Sequence, residues 1–145
     1  MNLQIDEKKV TAGQWVVCEL KDNKVIAQVK RVIKDTFNNK VELWGTWGCE
    51  GAAIHGDWGY NHANKCRYAT VEEINKESLR RVFAQKGRRP NEYRSGDVVT
   101  DDVYASRVLH VIADRATVQI MNSHQIYEVA IENLEILFFA EDMAA

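Results

Sequence analysis

Four residues in the first half of the chain have side chains that hold metals or move protons: Cys49, His55, His62 and Cys66. Two thiolates and two imidazoles suit a tetrahedral zinc ion, but the spacing C-x5-H-x6-H-x3-C lacks the closely paired knuckles of fingers and ribbons. Zinc is therefore a secondary alternative, and no cofactor is expected. His55, Asp57 and His62 have acid–base chemistry within one stretch, yet no nucleophile accompanies them. No phosphate-cradling glycine loop, nucleophile elbow or metalloprotease helix occurs. These absences from the sequence point to a binding protein in place of an enzyme.

The same residues sit in or beside an unusual segment, residues 43–60, which holds five of the eight glycines and three of the four tryptophans. Tryptophan and tyrosine anchor interfaces because each buries a large rigid area and keeps one polar atom available. Trp44, Trp47, His55, Asp57, Trp58 and Tyr60 are accordingly the candidate partner-binding residues. The competing expectation is structural: tryptophans plugging the end of a small barrel, with glycines supplying positive φ angles.

The elements that carry this segment follow from period-two patterning. Val16, Cys18 and Leu20 share one face of a strand over residues 15–20, and a longer strand is expected over 25–33. In that strand Val25, Ala27 and Val29 keep phase until Val32 and Ile33 break it. The stretch from Val29 to Asp35 returns as Val108 to Asp114 with the same break, each copy downstream of a glycine, Gly13 or Gly96. A break shared by two copies is a bend or bulge belonging to the fold. Extending the alignment sets residues 41–43 against 118–120 and Cys66 against Leu134. It also makes the hairpin of residues 43–60 nine residues longer than its counterpart around 121–125. An expanded loop on a repeated scaffold is where function often sits. Cys18 reads as core.

This strand order resembles the SH3-like barrels of the Tudor and KOW type, with copies at about residues 10–70 and 93–139. The resemblance implies a mainly β fold of two SH3-like barrels connected by one α-helix. Neither copy carries the aromatic and acidic pattern of proline-peptide-binding SH3 domains, so that specificity is not transferred. The expected organisation is an N-terminal barrel over 1–70, a bridging helix and basic linker over 71–92, and a C-terminal acidic barrel over 93–145.

Thr70 and Glu73 have capping-box spacing, so a helix starts there and runs to about residue 86, with Ile74, Leu79, Val82 and Phe83 as its apolar stripe. Six basic residues follow or overlap it: Arg80, Arg81, Lys86, Arg88, Arg89 and Arg94, around Phe83 and Tyr93. Such a segment can neutralise phosphates and stack a base, which makes nucleic-acid binding the leading alternative function. Charge opposes it further on. Residues 96–145 carry two Lys/Arg against nine Asp/Glu, a local −7 in a chain of net −2. Asp97, Asp101, Asp102, Glu128, Glu132, Glu135, Glu141 and Asp142 form this acidic half, which can steer a basic protein or simply maintain solubility.

At 46% apolar and 28% charged residues the chain is a folded globular protein, and its longest apolar run, residues 136–140, is far too short to span a membrane. The N-terminus lacks the apolar stretch of a secretory signal, and three irregularly spaced cysteines suit a reducing compartment, so a cytoplasmic location is expected. The expected activity is non-catalytic engagement of a macromolecular partner, most simply a protein, with no membrane contact. Small size, paired barrels and an aromatic loop also look like bacteriophage accessory proteins that block a host enzyme or defence complex.

Overall fold

The computed structural model describes residues 3–21, 23–49 and 56–143. The chain is mainly β, with three antiparallel sheets and one long helix among the described residues, and it divides into two compact units, Met1–Pro90 and Asn91–Ala145. The helix expected as a separate bridge is part of the first unit.

The first unit contains β1 (Trp15–Leu20), β2 (Asn23–Gln28), β3 (Arg31–Asp35), β4 (Lys40–Trp47), β5 (Asp57–His62) and β6 (Cys66–Tyr68). They form two sheets, β2-β1-β6 and β3-β4-β5. The strand expected over 25–33 is thus two strands, because the chain turns at Val29 and Lys30. The Lys30 N–H still reaches the Trp44 carbonyl at 2.8 Å, and Ile26 and Gly48 exchange backbone bonds of 2.8 and 2.9 Å. The second unit keeps one sheet, ordered β10-β9-β8-β7-β11. Its strands are β7 (Val98–Thr100), β8 (Ala105–Ile112), β9 (Arg115–Ile120), β10 (Ile126–Ala130) and β11 (Glu135–Phe138). Here β8 corresponds to β2 plus β3, and its bulge between Val108 and His110 falls where the first copy bends. The shared loss of phase in the sequence therefore has one origin expressed in two ways. Neither set of strands closes into a barrel through its pairing among the described residues.

Finer details repeat as well. Gly13 and Gly96 both lie in the left-handed region, at φ +98° and +95°, and their N–H groups donate to Val29 and Val108 at 2.7 and 2.8 Å. A side chain closes the turn in each copy: the Thr11 N–H donates to Gln14 Oε1 at 2.9 Å, and the Arg94 N–H to Asp97 Oδ2 at 2.7 Å. Short 3-10 turns at Ala63–Lys65 and Ile131–Asn133 lead into Cys66 and Leu134, which matches the expected pairing of those two residues.

One part of the repeat alignment requires correction. Val32 pairs with Leu43, whereas its counterpart Val111 pairs with Ala116, so Leu43 corresponds to Ala116 and the earlier match of 41–43 with 118–120 slips by four residues. Eight residues separate Ile33 from its partner Glu42, but only two separate Ile112 from Arg115, in a turn with Ala113 at φ +54°. Seventeen residues separate Leu43 from Asn61, against twelve between Ala116 and Val129. The extra length is therefore shared: six residues in the β3–β4 hairpin and five in the β4–β5 hairpin, where the sequence suggested nine. The inward positions compensate in size. Leu43 and Gly45 in one copy stand where Ala116 and Val118 stand in the other, and all four are buried.

Helix α1 (Val71–Ala84) begins on the expected capping box: Thr70 Oγ1 accepts from the Glu73 N–H at 3.1 Å and Glu73 Oε1 from the Thr70 N–H at 3.0 Å. Phe83 is fully buried, but Val82 is exposed, so the apolar stripe is narrower than expected. Polar groups hold the helix instead. Glu73 takes a forked pair of bonds from Arg67 at 2.8 and 2.9 Å, and buried Glu77 binds both Arg80 and Arg81 at 2.7 Å. Arg81 continues to the carbonyls of Ile26 and Thr46 at 3.1 and 2.9 Å and lies 5.2 Å from the centre of the Trp15 ring.

Candidate functional site

Residues directly opposed on antiparallel strands share a face of the sheet. The register of β3, β4 and β5 pairs Arg31 with Trp44, Trp44 with Tyr60, Thr46 with Trp58 and Glu42 with His62. These side chains form the outer face. Trp44 is the middle of an aromatic ladder, 4.9 Å from Tyr60 and 6.1 Å from Trp58 between ring centres, with interplanar angles near 40°. His62 meets Tyr60 edge-on at 5.4 Å. The Trp44 Nε1–H donates to Glu42 Oε1 at 3.0 Å, which fixes its ring. Trp58 and Tyr60 remain 58% and 45% exposed.

Strand alternation divides the tryptophans. Trp47 lies on the inner face at 7% exposure, belongs to the core cluster, and donates its Nε1–H to the Gly59 carbonyl at 3.0 Å. A Cβ on Gly56, at φ +63°, would collide with the Trp47 carbonyl oxygen, so glycine is required there. Trp47 therefore fills the core, while Trp44 and Trp58 lie on the outer face. Asp57 is exposed at the start of β5, opposite Trp47 in register. His55 lies outside the described residues.

No family model matches the chain, and no curated protein matches it. The corrected register equates Trp44 with Thr117, Trp58 with Ile126, Tyr60 with Glu128 and His62 with Ala130. The second copy covers the same sheet positions with small, aliphatic and charged side chains, including an Arg115–Glu128 pair at 3.0 Å. The fold thus forms without aromatic residues on this face.

The turn after β3 is a further feature of this face's hairpin. Asp35 Oδ1 accepts from the N–H groups of Phe37 and Asn38 at 3.1 and 3.3 Å, and Oδ2 from Asn38 Nδ2 at 2.8 Å. Those bonds, led by the one from the Asn38 side chain, hold the Asp35 carboxyl below its ordinary pKa. The turn presents Phe37 at 98% exposure. The signal available in the sequence was the six-residue excess of this hairpin, hidden by the slipped alignment.

Among the other candidate residues, Arg80 and Arg81 are engaged by Glu77, Arg88 is buried, Lys86 is half-buried, and Arg94 pairs with Glu92 at 2.8 Å; Arg89 is exposed. Burial pushes the Glu77 carboxyl up, but its bonds from Arg80 and Arg81 outweigh that and keep it below the ordinary value. Phe83 and Tyr93, the aromatic residues of the basic segment, are both buried, and the Tyr93 hydroxyl donates to the Leu134 carbonyl at 2.9 Å. Of the possible zinc ligands, His62 faces outward against Tyr60, Cys66 packs against the core beside Cys18, and Cys49 Sγ accepts from Asn23 Nδ2 at 3.5 Å. Among the described residues no three metal-binding side chains converge. In the acidic half, Asp97 is fully buried and caps backbone N–H groups of Arg94 and Ala140, so it belongs to the fold. Asp101, Asp102, Glu132 and Glu135 line an open cleft in the second unit. Among the described residues no helix is long and apolar enough to cross a membrane.

Proposed function

We propose that the protein is a non-catalytic binding protein that engages a protein partner through the outer face of β3, β4 and β5. One observation carries this reading: Trp44, Trp58 and Tyr60 tile an exposed face whose equivalent positions in the second copy are Thr117, Ile126 and Glu128. Surface aromatics that the scaffold does not need are retained at a cost in solubility, and large amphipathic rings on rigid strands are the chemistry of interface hot spots. Arg31, beside Trp44 in register, adds the third residue type enriched there. Phe37 extends the same hairpin as an apolar knob. The two units are read as SH3-like modules acting in the cytoplasm, and blocking a host enzyme is one form such an interaction takes.

The test is a comparison of variants at constant fold. Trp58→Ala and Tyr60→Ala should preserve the circular-dichroism spectrum and cooperative unfolding while abolishing capture of a specific protein from the native host. Retention of that partner by both variants would rule out this face. A captured nucleic acid whose affinity falls steeply with salt would favour the nucleic-acid reading.

A further inference from the structure

Cys18 on β1 stands directly opposite Cys66 on β6. The backbone bonds define the kind of pair this is. The Ala69 N–H donates to the Trp15 carbonyl at 2.9 Å, whereas the Tyr68 N–H turns away from β1 to the Leu3 carbonyl at 2.8 Å. Antiparallel pairs alternate in type, so Val16–Tyr68 is non-hydrogen-bonded, Val17–Arg67 hydrogen-bonded and Cys18–Cys66 non-hydrogen-bonded. In that last class Cα atoms approach to roughly 4.5 Å with side chains at their closest. A disulfide spans Cα separations of about 4.4–6.8 Å. Cys18 is fully buried in the core cluster, and Cys66 is partly accessible and packs against that cluster.

We propose that Cys18 and Cys66 form a dithiol modification site that closes to a cross-strand disulfide on reaction with a small-molecule disulfide such as oxidised glutathione. The Cys66 thiolate attacks one sulfur of oxidised glutathione, giving a mixed disulfide and releasing the first glutathione as thiolate. The Cys18 thiolate then attacks the Cys66 sulfur, forming the Cys18–Cys66 bond and releasing the second. The two protons lost by the protein thiols end on the two glutathione thiols; the protein is oxidised by two electrons and glutathione disulfide is reduced by two. Cys66 is the entry point because Cys18 has no surface. Burial, then the neighbouring Cys18, pushes the Cys66 thiol well above its ordinary pKa, so the thiolate is scarce at neutral pH and closure in the native state is slow. The bond encloses β2 to β5, including the whole aromatic ladder, and replaces the thiol hydrogen bond from Cys66 Sγ to the His62 carbonyl, now 3.4 Å.

The experiment uses the full chain in two arms: native protein incubated with oxidised glutathione, and protein unfolded in urea then refolded in a glutathione redox buffer. Alkylation, intact mass and peptide mapping read the outcome. The refolding arm should yield a Cys18–Cys66 cross-linked peptide with Cys49 alkylated, faster than the native arm. The oxidised form should melt higher by about 10 °C, a shift retained in Cys49→Ser and lost in Cys66→Ala. Pairing of Cys49 with either residue, a persistent glutathione adduct on Cys66, or free thiols throughout the refolding arm would each overturn the assignment.

Discussion

Glu77 decides how α1 is held, because one carboxylate serves two arginines at a buried position. Glu77→Ala leaves both guanidiniums without their acid and should cost about 3 kcal/mol in urea unfolding. The sign of its pH dependence follows from the depressed pKa. A carboxylate whose folded pKa lies below its unfolded value adds stability above the unfolded value and loses it as pH falls through the folded one. Glu73, held low first by Arg67, acts in the same sense. The melting temperature should therefore fall on acidification below the ordinary carboxylate range, and less steeply in Glu77→Gln. Arg80→Glu should destabilise the fold before any effect on nucleic acid is measured. The sequence disclosed that Arg80 and Arg81 are basic, but not that a glutamate one helical turn earlier turns them inward. Cys18 was legible from strand alternation; its relation to Cys66 was not, since it depends on which strand pairs with β1.

The strands and hairpins explain why the tryptophans behave differently. Trp47→Ala removes a core side chain and should cost about 3–5 kcal/mol, whereas Trp58→Ala, on the outer face of the same hairpin, should stay within about 1 kcal/mol, both read by chemical denaturation. The triple replacement Trp44→Thr, Trp58→Ile and Tyr60→Glu writes the second copy's residues onto the first and should leave a cooperative fold that no longer captures the partner. Much of this level was legible: β1, the capping box, the repeated glycine turns and the place of the bend all follow from local chemistry. The register of β4 against β9 was not, because two hairpins of different length allow several alignments of short apolar strands, and only pairing selects one. The same slip concealed Phe37.

Across the whole chain, the division at Pro90 places the basic residues of α1 and the aromatic ladder in one compact unit and most of the acidic excess in the other. Residues 1–90 contain their own core cluster, so that fragment produced alone should unfold cooperatively by circular dichroism. The absence of such a transition would mean that the first unit depends on the second. Strand patterning predicted the mainly β class but not which unit owns the helix. That depends on the partners of Glu73 and Glu77, which no local pattern announces.

The exchanged sizes of Leu43 and Gly45 against Ala116 and Val118 bear on whether strands of the two halves are interchangeable. A Cβ at Gly45 would lie 2.7 Å from the Gln28 carbonyl oxygen, so β4 has no room for the valine that β9 of the second copy accommodates. Gene conversion copying the second repeat's β9 onto β4 would therefore introduce a clash at one position and, by Leu43→Ala, a cavity at the next. A chain with β9 transplanted onto β4 should therefore be destabilised through its inward positions, whereas exchange confined to the outward positions leaves the core of either copy unchanged.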